Sequence, residues 1–148
     1  MATASTYLTF DGLCEEAFAV YKATFGGEFT HLSRFNTIPP SEGYVVSQSD
    51  MHKILHIALP IGNTVLMGCD AGDEYGDSLV QGNNFAVSVS TGSKQEAQTI
   101  FDKLSQYGQV SQPLADTFWG AYFGSVVDQF GVNWRISFDE KNAVKGTH

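Results

Sequence analysis

The chain has 148 residues, 43% of them hydrophobic and 16% charged, with a net charge of −8 at pH 7. That length holds one domain with a real core, or two small halves sharing one, and the composition excludes a disordered chain. The acidity, interrupted by no basic run, excludes a nucleic-acid backbone or an anionic membrane as partner. Cys14 and Cys69 make neither a disulfide framework nor a metal-ligand spacing. Free thiols fit a reducing compartment. With no basic-then-apolar leader and no apolar run of membrane-spanning length, the sequence reads as a soluble cytoplasmic protein.

Tyr7 to Phe10 alternates and ends at Asp11-Gly12, which predicts a short strand and a turn. Leu13 to Phe25 predicts a helix, with Glu15 and Glu16 in its first turn and Gly26-Gly27 at its end. Glu28 to Asn36 predicts a strand, and Thr37 to Asp50, which contains Pro39-Pro40, a mobile loop. Lys53 to Pro60 predicts a strand that turns at Gly62-Asn63 into a partner over Thr64 to Met67. The run from Gly68 to Asn83 carries Asp70, Asp73, Glu74 and Asp77 among glycines and reads as a solvated connector. It lacks the ligand spacing and the closing Glu of a calcium loop.

Phe85 to Thr91 predicts a strand. Ser93 with Glu96 three residues later has the form of a capping box ahead of a helix over Lys94 to Tyr107, which Gly108 is expected to stop. A strand follows near Gln109 to Leu114. Phe118 to Phe138 then predicts a hairpin turning at Asp128-Gln129-Phe130-Gly131. Burying Trp119, Phe123, Phe130, Trp134 and Phe138 together would make this hairpin the main core contributor.

The order strand, helix, strand, strand, strand thus occurs twice. Glu16-Ala17 and Tyr21 in the first helix match Glu96-Ala97 and Phe101 in the second. The expected fold is α+β: two βαβββ modules, residues 5–71 and 84–140 joined by a connector over 72–83, forming a curved mixed sheet around a cavity.

This doubled pattern resembles the vicinal oxygen chelate superfamily of glyoxalases, bleomycin resistance proteins and extradiol dioxygenases, and most closely its PhnB-like branch. The residues that carry the resemblance are Tyr7 to Gly12, Glu16-Ala17, Tyr21, Phe25-Gly26, His56 to Gly62, Leu66 to Asp70, and Phe118-Trp119-Gly120 through Asp128-Gln129-Phe130-Gly131 to Trp134. The branch has been labelled methyltransferase-like, yet no glycine-rich strand-to-helix loop of the kind that holds S-adenosylmethionine is present. In metal-dependent members, His or Glu stands on the first and last strands of each module. The resemblance places Tyr7 (or Thr6), Leu66 or Met67, Asn84 and Arg135 at those positions. None is an anionic or imidazole ligand, so no metal and no cofactor is expected.

Arg135 alternates with Trp134 and Ile136, so it is expected to face the cavity. There it is an anion clamp or the partner of a carboxylate such as Asp116. His56, in an apolar strand, is a catalytic acid–base candidate or a core histidine. Trp119, Tyr122 and Phe123 are an aromatic wall or core, and Asn84 is a ligand-facing amide or a turn residue. With Tyr7 and Met67, these residues make up the candidate site. His31 and His52 read as surface residues. The leading expectation is a metal-independent protein that binds and sequesters a small molecule, anionic or aromatic, as a homodimer. The alternatives are a glyoxalase-like lyase or isomerase, or a dioxygenase-related enzyme, with shifted metal ligands, or a metal-free acid–base enzyme using His56.

Overall fold

The same order of elements occurs twice along the chain. The computed structural model describes residues 1–39, 45–73 and 76–140. They fall into two compact units, one from Met1 to Val80 and one from Gln81 onward. The first contains β1 (Thr6–Phe10), α1 (Cys14–Phe25), β2 (His31–Arg34), β3 (Ile54–Ile61) and β4 (Thr64–Asp70). The second contains β5 (Val87–Ser90), α2 (Lys94–Ser105), β6 (Gln109–Asp116), β7 (Ala121–Val127) and β8 (Asn133–Asp139). Hydrogen bonding groups the strands into two four-stranded mixed sheets, one per module, ordered β1-β4-β3-β2 and β5-β8-β7-β6. In each, the first strand lies parallel to the last and the other pairs are antiparallel. No helix among the described residues is long and apolar enough to cross a membrane. Residues 40–44 of the expected loop, Glu74 and Tyr75 of the connector, and the tail beyond Glu140 lie outside the described residues.

In the first module α1 packs on one face of the sheet. Ala17, Phe18 and Tyr21 meet Leu8, Phe10, Ile57, Leu59 and Leu66, all buried. Phe18 sits edge-on to Phe10. A Cβ at Gly68 would fall 2.6 Å from the Phe18 ring and 2.9 Å from the Leu8 carbonyl, so only glycine fits beneath the helix. The start of α1 has no side-chain cap of its own. Asp70, at the end of β4, supplies the acceptor: Oδ1 accepts from Cys14 N at 3.0 Å and Oδ2 from Ile54 N at 2.9 Å. A carboxylate there also suits the positive end of the helix dipole. Asp70 is therefore a buried structural group and not part of a solvated acidic loop, because its two oxygens satisfy backbone donors at the start of α1 and of β3.

In the second module α2 places Ala97, Ile100, Phe101 and Leu104 against Val126, Trp134 and Ile136. The expected cap is present: Glu96 N donates to Ser93 Oγ at 3.0 Å, and Glu96 returns a carboxylate oxygen to Gly92 N at 2.9 Å. The helix ends differently from the expectation. Tyr107, not Gly108, takes the left-handed backbone, with φ 60°. Gly108 is required for proximity instead, since a Cβ there would lie 2.4 Å from the Val127 carbonyl.

The hairpin turn is organised by Asp128, as its sequence position implied. Oδ1 accepts from Phe130 N at 2.8 Å and Val132 N at 3.0 Å, and Oδ2 accepts from the Trp134 indole at 2.8 Å. Trp134 is fully buried, but Trp119 and Phe118 are 55% and 97% exposed. The aromatic cluster at the start of the hairpin is thus outside the core. Thr117–Gly120 forms the tight connection between β6 and β7, closed by Gly120 N to Thr117 O, and its side chains have no helix to cover them.

Replacing Asp128 by Ala strands two backbone N–H groups and one indole N–H. At about 1–3 kcal/mol per unsatisfied buried donor, the expected destabilisation is about 3 kcal/mol or more. Urea unfolding of Asp128→Ala should show a lower midpoint with an unchanged slope. A midpoint within error of the parent would show that water replaces the carboxylate at little cost.

Candidate functional site

With one face of each sheet under a helix, strand alternation sends the intervening residues to the opposite, open face. In the first module, Tyr7 pairs with Met67, Met67 with Ala58, and Ala58 with His31, which forms one transverse row. The register settles two positions that the sequence left open. Tyr7 rather than Thr6 is on the open face, and so is Met67, whereas Leu66 is buried toward α1. His56 joins the row: Tyr7 Oη and His56 Nδ1 lie 3.2 Å apart, and the two rings stack at 5.7 Å. His31, read from sequence as a surface residue, is exposed, with its ring 5.0 Å from that of His56 and its Nε2 3.1 Å from Ser33 Oγ. Burial and then the hydrogen bond to Cys69 push the Tyr7 phenol up to about 12, so its hydroxyl keeps its proton at neutral pH.

In the second module the corresponding row is Ser88, Arg135 and Ser125, joined through β7 to Gln112. Arg135 is exposed, with its guanidinium carbon 4.5 Å from the centre of the Phe123 ring. Phe123 in turn is 6.2 Å from Trp119, which meets Phe118 edge-on at 5.0 Å. An aromatic strip therefore runs from the β6–β7 turn to the guanidinium. Beside Arg135 opens a cleft of about 340 Å³ whose polar wall is Asn83, Asn84, Asn133, Ser111 and Ser125. No carboxylate is among its described lining residues. Asp116, the carboxylate considered as a partner for Arg135, pairs instead with Lys94 at 3.0 Å.

The structure brings Arg135, Asn84 and Trp119 to one side of the second module, and Tyr7, His56 and Met67 to one side of the first. Tyr122 is not with Arg135. It alternates to the helix side, where its hydroxyl donates to Gln98 at 3.1 Å and Lys94 lies over its ring at 5.1 Å. Asn84 lines the cleft but precedes β5, so it is not the strand residue that faces Arg135; Ser88 is. Ser88, Ser125, Asn133 and Cys69 were not singled out from sequence. Their signal was parity with Arg135 and Tyr7, readable only once the register is known.

At the strand positions that the resemblance marks as ligand positions, the register pairs Tyr7 with Met67 in one module and Ser88 with Arg135 in the other. A phenol held neutral, a thioether, a hydroxyl and a guanidinium do not fit a hard divalent cation. No group of three or more His, Cys, Asp or Glu side chains disposed to hold a metal occurs among the described residues.

The family model described as 3-demethylubiquinone-9 3-methyltransferase matches residues 2–137. Protein YjdN of Escherichia coli (strain K12) is 31% identical over 139 residues, which cover 90% of this chain and 92% of YjdN. The crystal structure of protein PA1353 from Pseudomonas aeruginosa superposes with a TM-score of 0.80 at 30% identity, covering 94% of this chain and 98% of that one. The PhnB protein of Bacillus cereus, described as a putative 3-demethylubiquinone-9 3-methyltransferase, has a TM-score of 0.70 at 24% identity, covering 93% and 99%. Solved structures described as glyoxalase/bleomycin resistance and fosfomycin resistance proteins share the fold.

The Tyr7 environment has a readable consequence. The folded chain favours the neutral phenol, so this group's contribution to stability is fully present below pH 10. It is lost as pH rises from 10 toward about 12. An ultraviolet phenolate titration should therefore show a late-ionising tyrosine near pH 12 that disappears in Tyr7→Phe. A Tyr7→Phe curve identical to the parent's would show that Tyr7 is an ordinary phenol.

Proposed function

The chain belongs to the 3-demethylubiquinone-9 3-methyltransferase family, the PhnB-like branch of the glyoxalase/bleomycin resistance fold, and from that premise we propose that it binds a small anionic molecule at Arg135 without a metal ion. One observation carries this reading. In a chain with sixteen acidic and eight basic residues, an exposed guanidinium stands beside a cleft walled by neutral amides and hydroxyls. An exposed guanidinium is solvated but keeps its N–H groups available to an oxyanion. Phe123 faces part of it with its ring, leaving the N–H edge of the guanidinium for a carboxylate, phosphate or phosphonate. Trp119 and Phe123 extend the site as an apolar wall for a flat ligand body.

Holding, not transforming, is the simplest activity for such a cleft. The family description names methyl transfer, but the β1–α1 connection is only Asp11-Gly12-Leu13 and offers no glycine-rich cradle for S-adenosylmethionine. A second reading, metal-free acid–base chemistry at His56, is favoured by its contact with Tyr7. The two free cysteines suit a reducing compartment such as the cytoplasm. We take a homodimer as the working assembly, to be checked by sedimentation.

Titrating the protein with phenylphosphonate and benzoate, with benzyl alcohol as the neutral counterpart, tests the clamp. Charge-assisted hydrogen bonds are worth about 1.5–3 kcal/mol, so Arg135→Ala should lose about tenfold or more in affinity for the anions and nothing for the alcohol. Unchanged anion affinity would remove Arg135 from the site. Elemental analysis after dialysis should find substoichiometric metal. Loss of a turnover activity in His56→Ala, with anion binding intact, would move the acid–base reading to the front.

A further inference from the structure

The cleft beside Arg135 has more built into it than a bare anion clamp requires. Its polar wall is assembled from separate stretches of the second module: Asn83 and Asn84 precede β5, Asn133 opens β8, and Ser111 belongs to β6. Ser111 stands at a bulge. Val110 pairs with Val126 and Gln112 with Ser125, the next residue along β7, so Ser111 has no ladder partner of its own. A bulge on an edge strand such as β6 re-aims a side chain, and Ser111 lines the cleft. The stretch before β5 is tied to the β7–β8 hairpin. Gln81 Nε2 donates to the Phe130 carbonyl at 3.1 Å, and Asn133 Nδ2 donates to the Gly82 carbonyl at 3.4 Å. Asn133 keeps Oδ1 as an acceptor. Among the described residues, Asn83, Asn84, Ser111 and Ser125 make no side-chain hydrogen bond. The wall is thus held in place while its donors and acceptors stay available. Ser88 and Ser125 pair with Arg135 from either side, so two hydroxyls flank the guanidinium.

We infer that the anion held at Arg135 is a phosphate monoester of a polyhydroxylated body, of the sugar phosphate class; this rests on the anion-binding reading of Arg135 and names its ligand. The guanidinium fork takes two oxygens of an oxyanion. A carboxylate then has none left, whereas a phosphate has a third that the flanking serine hydroxyls can donate to. A sugar hydroxyl both donates and accepts, and so does each side-chain amide. Every hydroxyl set against Asn83 or Asn84 therefore finds a match whichever way it points. A hydrocarbon body would strip water from those amides and return nothing. Neither Phe123 nor Trp119 is among the described residues lining the cleft, so a body that enters it meets the amides and not the aromatic strip. Phe85, 65% exposed, offers one ring face for the C–H side of a sugar. The cleft volume of about 340 Å³ suits a small ligand, at the low end of the range of about 300–1,000 Å³ for such sites.

Calorimetric titration of the full-length protein with glucose 6-phosphate, ethyl phosphate and glucose tests this. Glucose 6-phosphate should bind about tenfold more tightly than ethyl phosphate, which has the charge and none of the hydroxyls, and glucose should bind more weakly than either. Asn84→Ala and Asn133→Ala should each reduce the preference for glucose 6-phosphate over ethyl phosphate about threefold. Equal affinity for the two phosphates overturns the inference and leaves the Arg135 clamp standing. Binding of neither phosphate removes the clamp, and the inference with it. Glucose binding as tightly as glucose 6-phosphate overturns the role of the phosphate. An unchanged preference in both asparagine variants overturns the role of the amide wall.

Discussion

Each module has one helix and one sheet, so the helix can dry only one face of that sheet. This constraint decides most of the molecule. The covered faces take the large apolar side chains, and each fully buried one contributes about 1.5–3 kcal/mol. Whatever is polar or charged on a strand must then emerge on the other face or be given a partner. Two buried aspartates serve where neither solution is available. Asp70 answers the unpaired donors at the start of α1 and β3, and Asp128 answers those of the β7–β8 turn and the Trp134 indole.

Parity depends on how closely the helices approach. Gly68 lies under Phe18, and Gly124 lies under Phe101, where a Cβ would sit 2.7 Å from the ring. A glycine that must be beneath the helix fixes which strand residues face inward, and a slip of one residue would turn every side chain over. With Gly124 and Val126 inward on β7, their β8 partners Ile136 and Trp134 are inward as well. Arg135 is then outward by necessity. Its exposure is thus a consequence of helix–sheet contact two strands wide and not of any local preference of arginine.

Period and punctuation carried most of the fold in the sequence. The two helices, the Ser93 cap, the Gly62-Asn63 and Asp128–Gly131 turns and the doubled order all stand where their residue types place them. Three features were hidden. The β5 strand begins at Val87, because Asn83 to Ala86 spends itself on the cleft wall, and so the residue opposite Arg135 is Ser88. Trp119 has the composition of a core residue but sits in a tight connection that no helix covers. Tyr122 falls on the helix side because β7 starts at Ala121, one residue after the turn glycine. For the site, sequence gave the residue types, and register alone could say which of them share a face.

The two open faces differ in chemistry although they come from one repeated plan. In the first module the row is phenol, thioether and imidazole, with a thiol beside it. In the second it is hydroxyl, guanidinium and hydroxyl. The sign of the charge matters most for what the second can hold. A divalent ion within about 4 Å of Arg135 would meet about 8 kcal/mol of repulsion at an effective dielectric near 20. An oxyanion in the same place gains a comparable attraction per unit charge and hydrogen bonds besides. If the resemblance is right that Arg135 stands at a ligand position of the metal-dependent proteins, an arginine there does more than delete a ligand. It reverses the electrostatic preference of the position, which is the physical ground for proposing an anion there.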